Sequence, residues 1–150
     1  MPLGSASLTT AIAAVVTKPA GGSTTQGRTN TDLSISFANG TAANQVLTVV
    51  DANLTSNSTN VALSTLTDTV GDAFGSATRL KGLVLINPST ANTTTFFCNA
   101  TGAANNVTLP AGGSLVHIAP SANGVTVAGS TTIRSNGTAT DTLRVVLFLG

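Results

Sequence analysis

Apolar and polar residues alternate at period two through much of the chain, the spacing that gives a strand one buried and one wet face. The cleanest stretch interleaves Leu33, Ile35 and Phe37 with Asp32, Ser34 and Ser36, just ahead of the turn pair Asn39-Gly40. Similar segments bounded by Gly, Pro, Asn and Ser predict strands at residues 45–51, 60–66, 93–98, 106–109, 114–119, 125–128, 131–134 and 142–149. Residues 80–87 differ. They form a near-continuous apolar run stopped by Asn87-Pro88, which predicts a strand covered on both faces at the centre of the fold. Residues 8–17 read as a first strand or an extended arm, closed by Lys18-Pro19-Ala20-Gly21-Gly22, and residues 23–30 read as loop. The segment 53–59 is an Asx-rich connection, 67–78 a structured loop, and 100–105, 110–113, 120–124, 129–130 and 135–140 are turns.

Turn signals roughly every 8–12 residues predict an all-β fold, a single antiparallel β-sandwich of jelly-roll or Greek-key type with an extended N-terminal arm. The expected division is an arm or first strand at 1–22 and the sandwich at 23–150, with no internal repeat and no linker between two domains. At 150 residues the chain can bury a single core of its own. The residues that carry the alternation suit this class. Thr is abundant and stiff at χ1, and Asn and Gly accept the positive φ that tight turns demand.

Charge is scarce. Only 7% of residues are charged, and the chain has no Glu, Tyr or Trp. Six basic and five acidic residues leave a formal net charge of +1, scattered so that no phosphate-tracking patch forms, which argues against a nucleic-acid partner. A surface this poor in charge favours association. No apolar run approaches the roughly 18 residues of a membrane helix, and the N-terminus lacks the basic start of a signal peptide. Neither a membrane partner nor secretion through a signal peptide is expected.

Candidate chemistry is thin. Gly22-Ser23-Thr24-Thr25-Gln26-Gly27-Arg28-Thr29 has the glycine spacing of a phosphate-binding loop, with Arg28 where that motif requires Lys, but nothing helical follows to supply the N-terminal amides. His117 is the sole imidazole, so any general base would fall to it, yet no Gly-x-Ser-x-Gly elbow accompanies it. Cys98 is the sole cysteine, so no disulfide can close within the chain. Beside Phe96-Phe97, with no cationic neighbour in sequence, it reads as a small buried hydrophobe. A structural zinc site needs about four Cys or His ligands, more than the chain has. Asp51, Asn53, Thr55 and Asn57 place oxygens at every second position, but the central Gly and closing Glu of a calcium loop are missing, and the segment reads as an Asx-rich turn. The sequons at Asn39, Asn53, Asn57, Asn92, Asn99, Asn106 and Asn136 follow from Asn/Thr richness. No catalytic residue, cofactor, metal or small-molecule substrate is expected, and the chain reads as a non-enzyme.

Four segments, Arg79-Leu80-Lys81-Gly82-Leu83-Val84-Leu85-Ile86-Asn87, Leu109-Pro110-Ala111-Gly112-Gly113-Ser114-Leu115, Gly124-Val125-Thr126-Val127 and residues 141–150, together with Leu66-Thr67-Asp68 and Phe74-Gly75 upstream, resemble a pattern in tailed-bacteriophage structural proteins. The resemblance covers roughly residues 60–150 and implies a β-sandwich that decorates heads or associates with tails. It further implies many copies per particle, often as homotrimers, which clamp neighbouring subunits of the major capsid protein; the protein would reside in the virion, assembled in the host cytoplasm. Long heptad or collagen-like stretches of fibres are absent, which favours a compact head-decoration (cement) protein over a fibre; the alternative is a tail-tip or receptor-binding protein. The apolar terminal segments then become the expected interface, through Leu8, Ile12, Val15 and Val16 at one end and Val145, Leu147 and Leu149 at the other, each pairing with a neighbour's sheet edge.

Overall fold

The computed structural model describes residues 5–20, 23–42, 45–57, 60–69, 71, 77, 79–100, 103–118, 125–138 and 140–150, with side chains described from residue 36 onward except at 100–105 and 118. Its strands are β1 (Ser5–Ala20), β2 (Ser23–Asn39), β3 (Gln45–Val46), β4 (Thr48–Thr55), β5 (Val61–Ala62), β6 (Arg79–Ile86), β7 (Thr94–Ala100), β8 (Ala103–Leu109), β9 (Ser114–Ile118), β10 (Val125–Thr126), β11 (Thr132–Asn136) and β12 (Thr142–Leu149). A 3₁₀ turn at Leu63–Thr65 interrupts them. The fold is an all-β antiparallel sandwich, the class that the alternation predicts.

Two sheets face each other. The first has the order β10-β6-β12-β4, with β9 sharing the β6 edge with β10, and the second has the order β5-β11-β7-β8. From β4 onward the chain crosses repeatedly from one sheet to the other, so neighbours in space are often distant in sequence. The alternating positions turned inward form one core: Val50 and Leu54 of β4, Leu83 and Leu85 of β6, and Leu143, Val145, Leu147 and Leu149 of β12 meet Phe96, Cys98, Leu109 and Ile133 of the facing sheet. Residues 80–87 lie at the centre, as their apolar run predicts, because β6 has β9 and β10 along one edge and β12 along the other.

The C-terminal segment departs from expectation. β12 pairs with β4 along one edge and β6 along the other, so neither edge is left for a neighbour. Val145, Leu147 and Leu149, expected at an interface, are buried in the chain's own core. Their burial against both flanking strands and the opposite sheet already satisfies the apolar demand that makes them look unprotected in sequence.

The N-terminal segment departs differently. Residues 23–30, expected as loop, belong to β2, which pairs residue by residue with β1 from Ala20↔Ser23 to Ser5↔Ala38. The expected boundary at residue 22 therefore falls at the turn end of a long hairpin, and the arm comprises both of its strands. β2 meets the rest of the chain through a short parallel pairing of Ala38 and Asn39 with Gln45 and Val46. Among the described residues β1 pairs only with β2, and no element of the sandwich packs extensively on either.

Smaller differences lie at strand ends. Residues 53–55 continue β4, 103–105 open β8, and 63–65 form the 3₁₀ turn where a strand is expected. Residues 70, 72–76 and 78 of the loop at 67–78, with Phe74-Gly75, lie outside the described residues, as do 58–59, 101–102 and the turn at 120–124.

The root of the hairpin is built by side chains of the outer face of the first sheet. Gly82 pairs with Phe148, and a Cβ on Gly82 would come within 3.0 Å of the Phe148 ring, so the absent side chain lets the ring lie on the β6 backbone. Phe37, at the end of β2, packs on that ring with centroids 5.4 Å apart and planes tilted by 33°. Phe37, Phe148 and Val46 form a second buried cluster. Beside it Lys81 is buried and donates from Nζ to the carbonyls of Thr41 (2.8 Å) and Ala42 (2.5 Å), tying the bend between β2 and β3 to β6. Burial lowers the Lys81 pKa from its ordinary value by disfavouring the charged form.

Candidate interaction surface

Two candidate chemical sites lose their geometry in the fold. The glycine-spaced segment of residues 22–29 lies, from Ser23 onward, in an antiparallel strand, with Gly27 opposite Val16 and Arg28 opposite Val15. It has neither the loop nor the following helix that would aim amides at a phosphate; Gly22 itself lies outside the described residues. Asp51, Asn53 and Thr55 sit at alternate positions of β4 on its solvent side, spaced by roughly 7 Å per pair of residues, too far apart to surround one cation. The Asp51 carboxylate already accepts two hydrogen bonds from the Arg144 guanidinium, at 3.0 and 2.6 Å. Those bonds hold its pKa below the ordinary carboxylate value, against the opposing effect of partial burial. Asn57 turns away at positive φ and donates to the Gly137 carbonyl at 2.6 Å.

Cys98 and His117, unconnected in sequence, line one cavity of about 390 Å³ at an open side of the sandwich. Leu83, Phe96, Val107 and Leu115 form much of its wall; Cys98 is buried at 5% exposure, whereas His117 is exposed. The alternation of β9 explains the pairing, since Leu115 and His117 share the inward face opposite Leu85 and Leu83. Among the described residues no three His, Cys or Asp side chains gather as metal ligands.

The two outer faces of the sandwich differ in chemistry. On the second sheet, outward positions of β7, β8 and β11 described with side chains are polar apart from Phe97. The Thr95 and Thr108 hydroxyls hydrogen-bond at 3.1 Å, and the Arg134 guanidinium lies 4.5 Å over the Phe97 ring. A shallow hollow of about 300 Å³ there is lined by Asn60, Phe97, Asn99, Asn106, Thr132 and Arg134. On the first sheet the register aligns Val116, Val84 and Val146 in one transverse row, flanked by Phe148 and Val49 on one side and Ile86 on the other. Apart from buried Phe148 these side chains are half-buried, and the Asp51–Arg144 pair closes one corner of the patch.

The hairpin has two faces of its own. Residues directly opposite in an antiparallel pair share a face, so one row of positions, apolar for the most part, carries Ala6, Leu8, Thr10, Ile12, Ala14 and Val16 on β1 with Gly27, Thr29, Thr31, Leu33, Ile35 and Phe37 on β2. The opposite row carries Ser7, Thr9, Ala11, Ala13, Val15 and Thr17 with Gln26, Arg28, Asn30, Asp32, Ser34 and Ser36. Of the four expected N-terminal interface residues, Leu8, Ile12 and Val16 therefore share the row of Phe37, and Val15 belongs to the other. Their side chains lie outside the described residues. Sequence reading missed Phe148, Val84, Val146 and Val116 as surface candidates. The signal was the unbroken apolar run of residues 83–86, which places residues on both faces.

Comparison of the chain with family models, with curated proteins and with solved structures finds no match.

Proposed function

We propose that the chain is a structural subunit of a bacteriophage particle, a head-decoration (cement) protein that works by assembly rather than catalysis. The observation that carries this reading is the hairpin of β1 and β2. A two-stranded ribbon is at best marginally stable alone in water; in this one, one row of positions is mostly apolar, and among the described residues no element of the sandwich packs extensively on it. Such a ribbon suits a chain that gains order from neighbours, either other copies, as in a homotrimer, or subunits of the major capsid protein. The low charge of the chain and the resemblance of residues 60–150 to tailed-phage proteins point the same way.

A second reading, a tail-tip or receptor-binding protein, is favoured by the hollow on the second sheet, where the amides of Asn60, Asn99 and Asn106 offer hydrogen bonding beside the Arg134–Phe97 pair on an outer face. One experiment separates the two. Gold-labelled antibody against the chain is applied to particles purified from the culture that makes it, and the label is located by electron microscopy. Label spread over the head is expected for a cement protein; label confined to the tail end would replace that reading with the second, and particles without label would overturn both.

A further inference from the structure

We infer that the apolar row of the ribbon docks on the outer face of the first sheet of a second copy of this chain, extending a contact that each copy already makes at its own root. The inference rests on the assembly reading and names its partner.

The molecule supplies the template. Phe37 belongs to the ribbon's apolar row and is 1% exposed, seated on Phe148 of that outer face. From that seat two things continue. Along the ribbon the row runs on through Ile35 and Leu33 with Leu8, Ile12 and Val16. Along the sheet the patch runs on through Val49, Val84 and Val146, half-buried and packed against the Phe37–Phe148 cluster, to Val116 and Ile86. Within one copy they part after Phe37, because no sandwich element packs extensively on the rest of the ribbon. Two apolar surfaces that join at one shared contact and then diverge have matching chemistry, and a second copy brings them together again.

Dimensions agree. Strands rise about 3.3 Å per residue, so a ribbon of this length reaches roughly 50 Å, whereas the sheet face from Phe148 to Arg144 spans about 13 Å. The ribbon is long enough to leave its own root and cross a neighbour's face. The polar outer face of the second sheet, with its threonines, asparagines and Arg134, offers no equivalent seat.

The test uses the full chain and sedimentation at about 50 μM. The wild type is expected to sediment as an oligomer. Leu8→Asp with Ile12→Asp removes the ribbon's apolar row, and Val84→Asp with Val146→Asp removes the seat; each double variant is expected to be monomeric. Circular dichroism monitors folding, and if the seat variant fails to fold, the shape-conserving pair Val84→Thr with Val146→Thr replaces it. Mixing the two variants pairs an intact ribbon with an intact seat, and association is expected to return as a species of two copies. A monomeric wild type, an oligomer that survives either change, or a mixture that stays monomeric would overturn the inference. None of these outcomes touches the virion reading, which stands or falls on the antibody labelling.

Discussion

The sandwich and the ribbon are both antiparallel β-structure, yet they are held by different means. In the sandwich each core strand has neighbours on its edges and a sheet against its inner face, so Leu85, Leu143, Val145 and Leu149 reach 0% exposure. In the ribbon a longer run of backbone pairs, sixteen residues of β1 against β2, has no covering sheet among the described residues. Backbone pairing alone exchanges hydrogen bonds with water for hydrogen bonds within the chain at small net gain, whereas burial of an apolar side chain contributes about 1.5–3 kcal/mol. The difference teaches that strand length is no measure of strand stability: the short β12 is sealed between two strands and a facing sheet, whereas the long β1 pairs, among the described residues, with β2 alone.

The largest test of this contrast truncates a core side chain. Leu147→Ala is expected to lower unfolding stability by about 2–5 kcal/mol in a denaturant titration, because the cavity lies between two sheets that cannot both collapse. Ile12→Asp, in the ribbon, should change the stability of the dilute monomer by less than about 0.5 kcal/mol. Equal losses from the two would erase the distinction.

Next in size are changes at the joint between the regions. Gly82→Val forces its side chain into the Phe148 ring, and overpacking there is expected to cost about 1–3 kcal/mol by denaturant titration. The companion change Phe37→Ala should be less than additive with it, since both act on one ring contact.

Lys81→Met removes the donor that ties the carbonyls of Thr41 and Ala42 to β6, with an expected loss of about 1–3 kcal/mol at neutral pH. Its pH dependence has a definite sign. The folded-state pKa of Lys81 lies below the unfolded value, so between the two the unfolded chain binds more protons and stability rises with pH. That rise, ending near the ordinary lysine pKa of about 10.4, should be present in the wild type and absent in the variant.

The smallest effect is expected for Asp51→Asn. Its partner is exposed, so the pair adds little. What it adds is present above the ordinary carboxylate pKa and lost as pH falls through the depressed folded value. Acid titrations of wild type and variant should therefore converge at low pH.

How much of this could be read in the sequence depended on whether the signal was local. Leu33, Ile35 and Phe37 declare a strand by alternation, and residues 83–86 declare a central strand by their lack of it; both strands are present, but the second is buried on one face only, Val84 and Ile86 being half-buried on the other. Residues 23–30 resemble a loop because Gly, Thr, Gln and Asn dominate them, and only their register against β1 makes them a strand, which no window around Gly27 contains. Val145, Leu147 and Leu149 look like a free apolar end because nothing within ten residues of them reveals β4 and β6 as their neighbours. The ribbon half of the candidate surface was legible as an apolar N-terminal segment. The sheet half was hidden, since Val116, Val84 and Val146 form one row only after three distant strands align.

The most direct measurement is hydrogen exchange on the full chain at two concentrations, one where it is monomeric and one where it is assembled. The account predicts that amides of β6 and β12 stay protected in both, while those of β1 and of β2 up to residue 36 exchange freely in the monomer and become protected on assembly. A monomer whose ribbon amides are as protected as those of β12 would contradict it.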